Sequence, residues 1–183
     1  MNALLDTPRL TVPIGGCDHV RGPAVAPLTL LEYGDYECPY CGAAHVVLKE
    51  LLAVMGDELT YAYRHFPLTQ IHPHAQQAAE AAEAAGAQGR FWQMHDLLFE
   101  HHDRLTTRDL LGYAAALGLD VGQFALDLET HVHAPRVRED FVSGIRSGVN
   151  GTPTFFINGV RHNGGFDLSS LLAALREAAA REG

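Results

Sequence analysis

Two cysteines three positions apart, Cys38 and Cys41, lie at the junction between two kinds of hydrophobic pattern. The residues before them, 28–33, form an apolar run typical of a buried strand. After them, apolar residues recur at helical spacing, at Ala43, Ala44, Val47, Leu48, Leu51 and Leu52. Pro39 suits the first turn of a helix, because the N–H that proline lacks would have no partner there. The sequence therefore predicts that the pair stands where a strand ends and a helix begins.

This placement predicts different roles for the two thiols. The N-terminus of a helix favours an anion, because its backbone N–H groups carry a partial positive charge. The thiolate is the reactive form of cysteine, and an ordinary cysteine keeps its proton until about pH 8.5. Cys38 heads the predicted helix and is the predicted nucleophile. Cys41 lies one turn further along, is expected to be more buried, and is predicted to attack a mixed disulfide formed on Cys38.

A Cys-x-x-Cys pair is also half of a four-cysteine zinc site, or a packed structural pair. The chain has one other cysteine, Cys17, so a zinc site would need histidines. Three histidine pairs are present but none has a complete ligand set: His72/His74, His101/His102 and His131/His133. We therefore predict no metal and no other cofactor. A Cys-x-x-Cys that follows a strand and opens a helix is typical of redox activity in an intracellular protein, and this is the interpretation we favour.

Composition narrows the class of partner. With 13 Lys and Arg against 22 Asp and Glu, the net charge is −9, which argues against nucleic acid or an anionic membrane surface. The first nine residues lack the basic start, apolar stretch and cleavage site of a signal peptide. No apolar run approaches the roughly 18 residues of a membrane span. The expected location is the cytoplasm, although an exported form whose signal had been removed would show the same sequence.

Hydrophobic periodicity predicts the remaining elements. Residues 1–27, rich in Pro and Gly, are expected to form an extension with a short edge strand at 9–12. Cys17 within it is interpreted as an ordinary cysteine rather than as a third redox thiol or a site of reversible capping. Strands are predicted at 28–34 and 59–66 around a helix at 39–55, and this short crossover predicts parallel pairing. Helical patterns follow, with a first helix at 73–85, Thr106 or Thr107 and Asp120 as later caps, and Val137, Phe141 and Ile145 facing inward.

The pattern returns to strands near the C-terminus. Asn158-Gly159 predicts a hairpin, because this dipeptide supplies the positive φ angles of a type I′ turn. Asp167 is a predicted helix cap, followed by an apolar face at Leu168, Leu171, Leu172, Leu175 and Ala179. The order predicts an α/β fold with a small mixed sheet flanked by helices. The predicted domains are an extension at 1–27, a sheet domain at 28–70 and 149–183, and an inserted all-helical subdomain at 71–148.

Five segments of the chain resemble the DsbA-like family of thiol–disulfide oxidoreductases, which have a thioredoxin fold with a helical insertion. The segments are residues 32–41, 63–68, 72–75, 88–96 and 151–159. The interval between Cys41 and Pro153 is too long for a plain thioredoxin or glutaredoxin, and the family's insertion accounts for it. The resemblance implies that the predicted α/β sheet is thioredoxin-like.

The resemblance also implies roles for residues of the cysteine motif. Cys38 matches the family's exposed nucleophile and Cys41 its resolving thiol. Pro39 and Tyr40 match the variable dipeptide that tunes the reduction potential and faces the substrate. Asp35 and Glu37 place negative charge beside the motif, which should oppose a thiolate at Cys38 and make the disulfide less oxidising.

Three further site residues follow from the resemblance. Pro153 matches a cis-proline packed against the two sulfurs, rather than an ordinary trans proline at the start of an edge strand. Because proline has no N–H, the backbone of Thr152 is left to pair with an extended substrate peptide. Glu32 matches a buried acid beneath the active site that accepts the Cys41 proton, rather than a strand residue that faces solvent.

The function these residues predict is thiol–disulfide exchange with protein or peptide thiols and disulfides. The expected electron partner is a redox protein or glutathione, and the direction of exchange is left open. Two alternatives remain. One is a glutathione-linked transferase or isomerase of the kappa type, which usually lacks the second cysteine that Cys41 supplies. The other is a non-enzymatic, redox-switched binding module or holdase.

Overall fold

The computed structural model describes residues 7–182, apart from the side chain of Glu182. The first six positions, on which part of the signal-peptide and N-terminal-extension predictions falls, and Gly183 lie outside the described residues. The strands are β1 (His19–Arg21), β2 (Leu28–Gly34), β3 (Leu59–His65), β4 (Thr154–Ile157) and β5 (Val160–His162). The helices are α1 (Pro39–Met55), α2 (Ala75–Ala87), α3 (Phe91–Glu100), α4 (Thr107–Ala116), α5 (Val121–Thr130), α6 (Ala134–Arg146) and α7 (Leu168–Glu182). A short 3-10 turn, Gly56–Glu58, precedes β3.

The five strands form one mixed sheet in the order β1-β3-β2-β4-β5. The β1–β3, β2–β4 and β4–β5 pairs are antiparallel. The N–H of Phe66 donates to the carbonyl of Gly34 at 2.8 Å, so the C-terminal ends of β3 and β2 lie side by side, as the predicted parallel pair requires. The predicted fold class, a thioredoxin-like mixed sheet flanked by helices with a helical insertion between β3 and β4, is confirmed.

The chain divides into two compact units. One comprises the described residues through Tyr33, then Ala43–Arg64, and Val142 onward, and it contains nearly all of the sheet. The other comprises Gly34–Gly42 and His65–Phe141, and it contains α2 to α5 together with both cysteines of the motif. The domain boundaries predicted from the sequence stay predictions.

Local capping begins the helices of the second unit where the sequence predicted. The Thr106 side chain accepts from the N–H of Asp109, whose carboxylate accepts from the N–H of Thr106, which completes a capping box for α4. Asp120 caps α5 by accepting from the N–H of Gln123 at 2.9 Å. Between them these caps satisfy backbone donors that would otherwise have no partner at a helix start.

The β4–β5 hairpin has the predicted turn. Asn158 and Gly159 have φ angles of 46° and 75°, the positive values that a type I′ turn demands. The Asn158 side chain also accepts from the N–H of Thr29 at 2.8 Å, which joins the turn to β2. Asp167 caps α7 by accepting from the N–H of Ser170, as predicted.

Several sequence predictions in the flanking segments are wrong. Residues 9–12 form no edge strand. Arg9 makes an isolated bridge with Val160, and the pairing stops there because the N–H of Thr11 donates to the Ser147 hydroxyl at 3.0 Å and not to a strand. The observed strand at this end is β1, which has three residues and too little alternation to be predicted. Ile145 and Ala179, expected on apolar faces, are exposed in the last turns of α6 and near the end of α7.

One buried ion pair ties the N-terminal segment to β3. Arg64 donates to both carboxylate oxygens of Asp18, at 2.7 and 2.8 Å, and the side chains are 3% and 4% exposed. It also donates to the carbonyls of Val12 and Pro13 and to the hydroxyl of Tyr33. Burial disfavours the charge of Arg64, but the hydrogen bonds to Asp18 and Tyr33 outweigh it and hold the pKa of the guanidinium above its usual value.

Gly22 precedes the turn into β2 and is expected to tolerate no side chain. Its φ is 91°, and a Cβ there would lie 2.4 Å from the carbonyl oxygen of Leu59. Gly56 also has a positive φ, 52°, but a Cβ there would meet nothing within 4 Å. Gly56→Ala should therefore cost about 1–2 kcal/mol for the left-handed backbone, and Gly22→Ala a further 1–3 kcal/mol, on the order of an overpacked core. Urea unfolding of both variants checks this, and equal losses would contradict it.

Candidate active site

Cys38 is the residue that caps α1. Its N–H donates to the carbonyl of Asp35 at 3.1 Å, and its own carbonyl accepts from the N–H of Gly42 at 3.1 Å, the first bond of the helix. Pro39 occupies the first helical position, and Cys41 follows within the first turn of this 17-residue helix. The cysteine pair therefore lies at the strand–helix junction predicted from the sequence.

The burial of the two thiols differs from what the resemblance implies. Cys38, matched to an exposed nucleophile, is only 3% exposed, and Cys41 is 0% exposed. The chain that leads into the helix is itself enclosed, since Asp35 and Tyr36 are buried as well. The exposed part of the motif is its central dipeptide, Pro39 and Tyr40. Their role in meeting a substrate stays a prediction.

Glu32 is a buried acid, as the resemblance implies, and does not face solvent. It lies on β2 opposite Phe155 of β4, and its Oε2 accepts from the hydroxyl of Tyr61 on β3 at 2.6 Å. An ionised carboxylate is costly to bury without such a donor. The environment therefore suits a group that exchanges a proton, and that role stays a prediction.

The Thr152–Pro153 peptide bond is cis, which confirms the geometry that the resemblance implies. Both residues directly precede β4 and are partly exposed. The packing of Pro153 against sulfur and the pairing of the Thr152 backbone with a peptide stay predictions.

The acids before Cys38 each contact a histidine, which the sequence did not predict. Asp35 is buried, and its carboxylate accepts from the N–H of Glu37 and of Leu68, both at 2.8 Å, and from Nδ1 of His72 at 2.7 Å. Glu37 accepts from the N–H and from Nδ1 of His74, at 2.7 and 2.9 Å. One signal was present in the sequence, since the two acids and the two histidines are each spaced two residues apart.

A second missed group surrounds Tyr36. The Tyr36 hydroxyl lies 2.9 Å from Nδ1 of His95 on α3, and its ring packs on Phe99 with centroids 4.7 Å apart. His65, also buried, lies 2.7 Å from the carboxylate of Glu83. The spacing of Phe91, His95 and Phe99 by four residues is the sequence signal, because it places three rings on one face of α3.

The other histidine pairs lie elsewhere. Nδ1 of His131 lies 3.0 Å from Glu80, and Nε2 of His133 lies 3.2 Å from Asp127. The ring of His101 stacks on Tyr113.

Cys17 is exposed, and its interpretation as an ordinary cysteine stays a prediction. Within residues 7–182, no helix has the length and apolarity needed to span a bilayer.

Asp140 on α6 supports the end of β3 and has a perturbed carboxyl. It accepts from the N–H of His65 at 3.0 Å and from Arg136 at 2.5 Å, but burial is the largest influence and raises the pKa of Asp140 above its usual 3.8. The unfolded carboxyl therefore ionises first as pH rises above 3.8, so ionisation of Asp140 lowers stability across the window up to its folded pKa.

Asp140→Asn, which cannot ionise, should remove this loss of stability. Between pH 3.5 and 6.5 the free energy of unfolding of the unaltered protein should fall relative to the variant, by about 1.4 kcal/mol for each unit by which folding raises the pKa. Urea unfolding at both pH values measures this difference. Asp57→Asn, at an exposed position, is the control. A difference that does not change with pH would contradict the prediction.

The sheet order, the helical insertion and a cysteine pair that opens α1 define a thioredoxin-fold protein with a helical insertion. The family model described as Thioredoxin matches residues 16–177, and the chain belongs to this family. A thioredoxin-like oxidoreductase from Silicibacter pomeroyi superposes with a TM-score of 0.80 at 27% identity, over 92% of this chain and 95% of that one. BdbD from Bacillus subtilis superposes with a TM-score of 0.82 at 20% identity, over 95% of this chain and 96% of that one. Alpha-DsbA1 from Wolbachia pipientis superposes with a TM-score of 0.77 at 22% identity, over 94% of this chain and 95% of that one. The chain therefore shares its fold with these three proteins.

Sequence relatives add a different context. The chain is 53% identical over 161 residues to a protein named Na(+)/H(+) antiporter NhaA 1 from Salinispora arenicola. The aligned region covers 88% of this chain and 24% of that relative. It is 48% identical over 160 residues to the protein of the same name from Mycobacterium sp. strain KMS, and this alignment covers 86% of this chain and 26% of that relative. The chain thus spans about a quarter of the length of these curated relatives.

Proposed function

We propose that the protein is a thiol–disulfide oxidoreductase that acts on protein or peptide disulfides through Cys38 and Cys41. The observation that carries this proposal is the position of Cys38 as the cap of α1, with Cys41 in the first turn of the same helix. Aligned peptide dipoles place partial positive charge at this end of the helix, which favours a thiolate there. Membership of the thioredoxin family supports the same chemistry.

The exchange proceeds in two steps in the reducing direction. The Cys38 thiolate attacks one sulfur of a substrate disulfide, forms a mixed disulfide and releases the other substrate sulfur as a thiolate. The Cys41 thiolate then attacks Sγ of Cys38, releases the second substrate thiolate and leaves a Cys38–Cys41 disulfide. Two electrons have passed to the substrate. Two thiols return them, either the dithiol of a redox partner protein or two molecules of glutathione, and these thiols leave as a disulfide. The oxidising direction is the reverse of these steps.

Glu32 is the proposed proton acceptor for Cys41. Cys41 is fully buried in the first turn of α1 and must lose its proton before it attacks. A buried carboxylate that accepts a hydrogen bond from the Tyr61 hydroxyl is suited to take up that proton. The substrate would meet the exposed Pro39 and Tyr40 and pair with the backbone of Thr152, and Pro153 would pack against the sulfurs.

The reduction potential of the Cys38–Cys41 pair tests the proposal. Equilibration with glutathione buffers of defined composition should give one reversible two-electron transition. A potential near −270 mV, the thioredoxin value, would indicate a reductase, and one near −120 mV, the DsbA value, an oxidant. Absence of a reversible transition would overturn the proposal and favour a binding module.

We further propose a cytoplasmic location, which fractionation of cells that express the tagged protein would test.

A second candidate role is that of a redox module that works with a Na+/H+ antiporter. The 53% identity to part of a protein of that name is the observation that favours it. Cys41→Ser removes the resolving thiol and should hold a partner as a mixed disulfide on Cys38. Recovery of an NhaA-type protein from cells that express this variant, and not from cells that express Cys38→Ser, would support the role. Its absence from the trapped material would contradict it.

A further inference from the structure

We propose that His72 and His74 are positioning residues of the thiol site, which hold Asp35 and Glu37 in place and offset their negative charge beside Cys38. The inference rests on the proposed function, because it concerns the Cys38 thiolate. The two acids lie three residues and one residue before Cys38 in the sequence. Without a counter-charge they would oppose the thiolate that the start of α1 favours.

The contacts fix the acids to the segment that presents Cys38. Asp35 accepts side-chain hydrogen bonds from the N–H groups of Glu37 and Leu68, while its own carbonyl accepts from the N–H of Cys38. Glu37 accepts from the N–H of His74 at 2.7 Å. The turn that carries both histidines is therefore tied through each acid to the residues that lead into α1. A change in this turn is transmitted to Cys38 through at most three hydrogen bonds.

The histidine rings can change charge without losing these bonds. An ionised carboxylate only accepts, so Nδ1 of each ring carries the proton that it donates, at 2.7 Å in His72 and 2.9 Å in His74. A further proton enters at Nε2 and leaves the Nδ1 bond intact. The His74 side chain is 42% exposed and that of His72 16%, so water reaches both. Asp35 and Glu37 are the charged groups that these rings contact.

The net charge of the two acids and two histidines depends on whether each ring holds a second proton. With both rings cationic, the four side chains sum to no net charge. With both rings neutral, they present two negative charges beside Cys38. Negative charge disfavours the thiolate and so favours the disulfide form. Cationic rings should therefore make the cysteine pair a stronger oxidant, and neutral rings should make no such contribution.

The test uses His72→Gln, His74→Gln and the double variant. At pH 6.0 the double variant should have an equilibrium constant for oxidising glutathione about 3- to 10-fold below that of the unaltered protein. For a two-electron couple this corresponds to a potential about 14–30 mV more negative. At pH 8.5 the two proteins should agree. Equal potentials at both pH values would overturn the inference, and so would an equal shift at both, which would indicate a purely structural role.

Two further variants separate charge from structure. Glu37→Gln should shift the potential in the opposite direction at pH 8.5. At pH 6.0, His74→Gln should have a smaller effect in the Glu37→Gln background than in the unaltered protein. An undiminished effect of His74→Gln there would contradict the role of the Glu37 contact. His131→Gln is the matched control, because it removes another histidine–carboxylate contact, with Glu80 at 3.0 Å. It should leave the potential unchanged, and circular dichroism confirms that each variant folds.

Failure of the proposed function remains distinguishable from failure of this inference. In a Cys17→Ser/Cys41→Ser background, the rate at which iodoacetamide alkylates Cys38 reports its thiolate fraction without any redox couple. His72→Gln/His74→Gln should slow alkylation about 3- to 10-fold at pH 6.0 relative to the same background and leave it unchanged at pH 8.5. If the Cys38–Cys41 pair shows no reversible redox transition but alkylation changes in this way, the oxidoreductase proposal fails. The inference that His72 and His74 offset the charge of the two acids is then still supported. Unchanged alkylation at pH 6.0 would overturn the inference.

Discussion

Cys38→Ser is expected to reduce thiol–disulfide exchange to the rate of the buffer reaction, a loss on the order of 10³-fold or more, as when the nucleophile of a covalent catalyst is removed. A serine hydroxyl is not ionised at neutral pH and forms no disulfide, so the mixed disulfide has no site. Cys41 is not expected to replace it, because it lies inside the first turn of α1 and not at the helix start, where the partial positive charge favours a thiolate. Thiol release from a disulfide-bonded peptide measures the rate.

Two matched variants sharpen this experiment. Cys17→Ser removes an exposed cysteine outside the motif and should retain the rate of the unaltered protein. Cys41→Ser should still form the mixed disulfide but release it slowly, so the adduct accumulates and is visible by mass. Exchange at full rate in the Cys38→Ser variant would contradict the mechanism. A large loss in Cys17→Ser would instead support the third redox thiol that the sequence interpretation set aside.

Asp18→Asn is expected to lower the free energy of unfolding by about 3–5 kcal/mol. The change leaves the guanidinium of Arg64 buried without a counter-charge, and removal of one partner of a buried pair is more costly than its replacement by apolar groups. The carbonyls of Val12 and Pro13 accept from Arg64 but carry no full charge. Urea unfolding followed by circular dichroism measures the loss.

The control for this prediction is Glu177→Gln on α7. Glu177 lies 3.8 Å from Arg181, with both side chains more than 70% exposed, and such pairs contribute no more than about 0.5 kcal/mol. The contrast between the two substitutions isolates the effect of burial. A loss below about 1 kcal/mol for Asp18→Asn would show that the carbonyls and Tyr33 alone are enough to compensate Arg64, contrary to the expectation for a buried charge.

The elements predicted correctly are those specified by neighbours in the sequence. The bounds of β2 and α1 follow from hydrophobic periodicity, and the starts of α4 and α5 follow from the caps Thr106 and Asp120. The hairpin at Asn158-Gly159 is also local, because the two backbone angles belong to these residues themselves. Such features need no knowledge of the rest of the chain.

The features that were missed depend on residues distant in the sequence. β1 has three residues, and its pairing with β3 some 40 positions later is what makes it a strand. The contacts of Asp35 with His72 and of Glu37 with His74 each join positions 37 residues apart, so neither residue's sequence neighbours reveal them. The burial of Cys38, which is 3% exposed, was likewise not predicted. The chemistry of the candidate site was therefore predictable in kind, and its electrostatic surroundings were not.

Asn158 must satisfy two independent requirements, which restricts the residues that can replace it. The turn needs a residue that tolerates a positive φ, and the adjoining strand needs an acceptor for the N–H of Thr29. Glycine meets the first requirement only, and serine or threonine carries an acceptor but disfavours the backbone angle. Aspartate meets both. Among relatives that keep this hairpin, the residue at position 158 should therefore be largely asparagine or aspartate. At position 159 the turn requires only a positive φ, so any residue that tolerates this backbone angle should be found there.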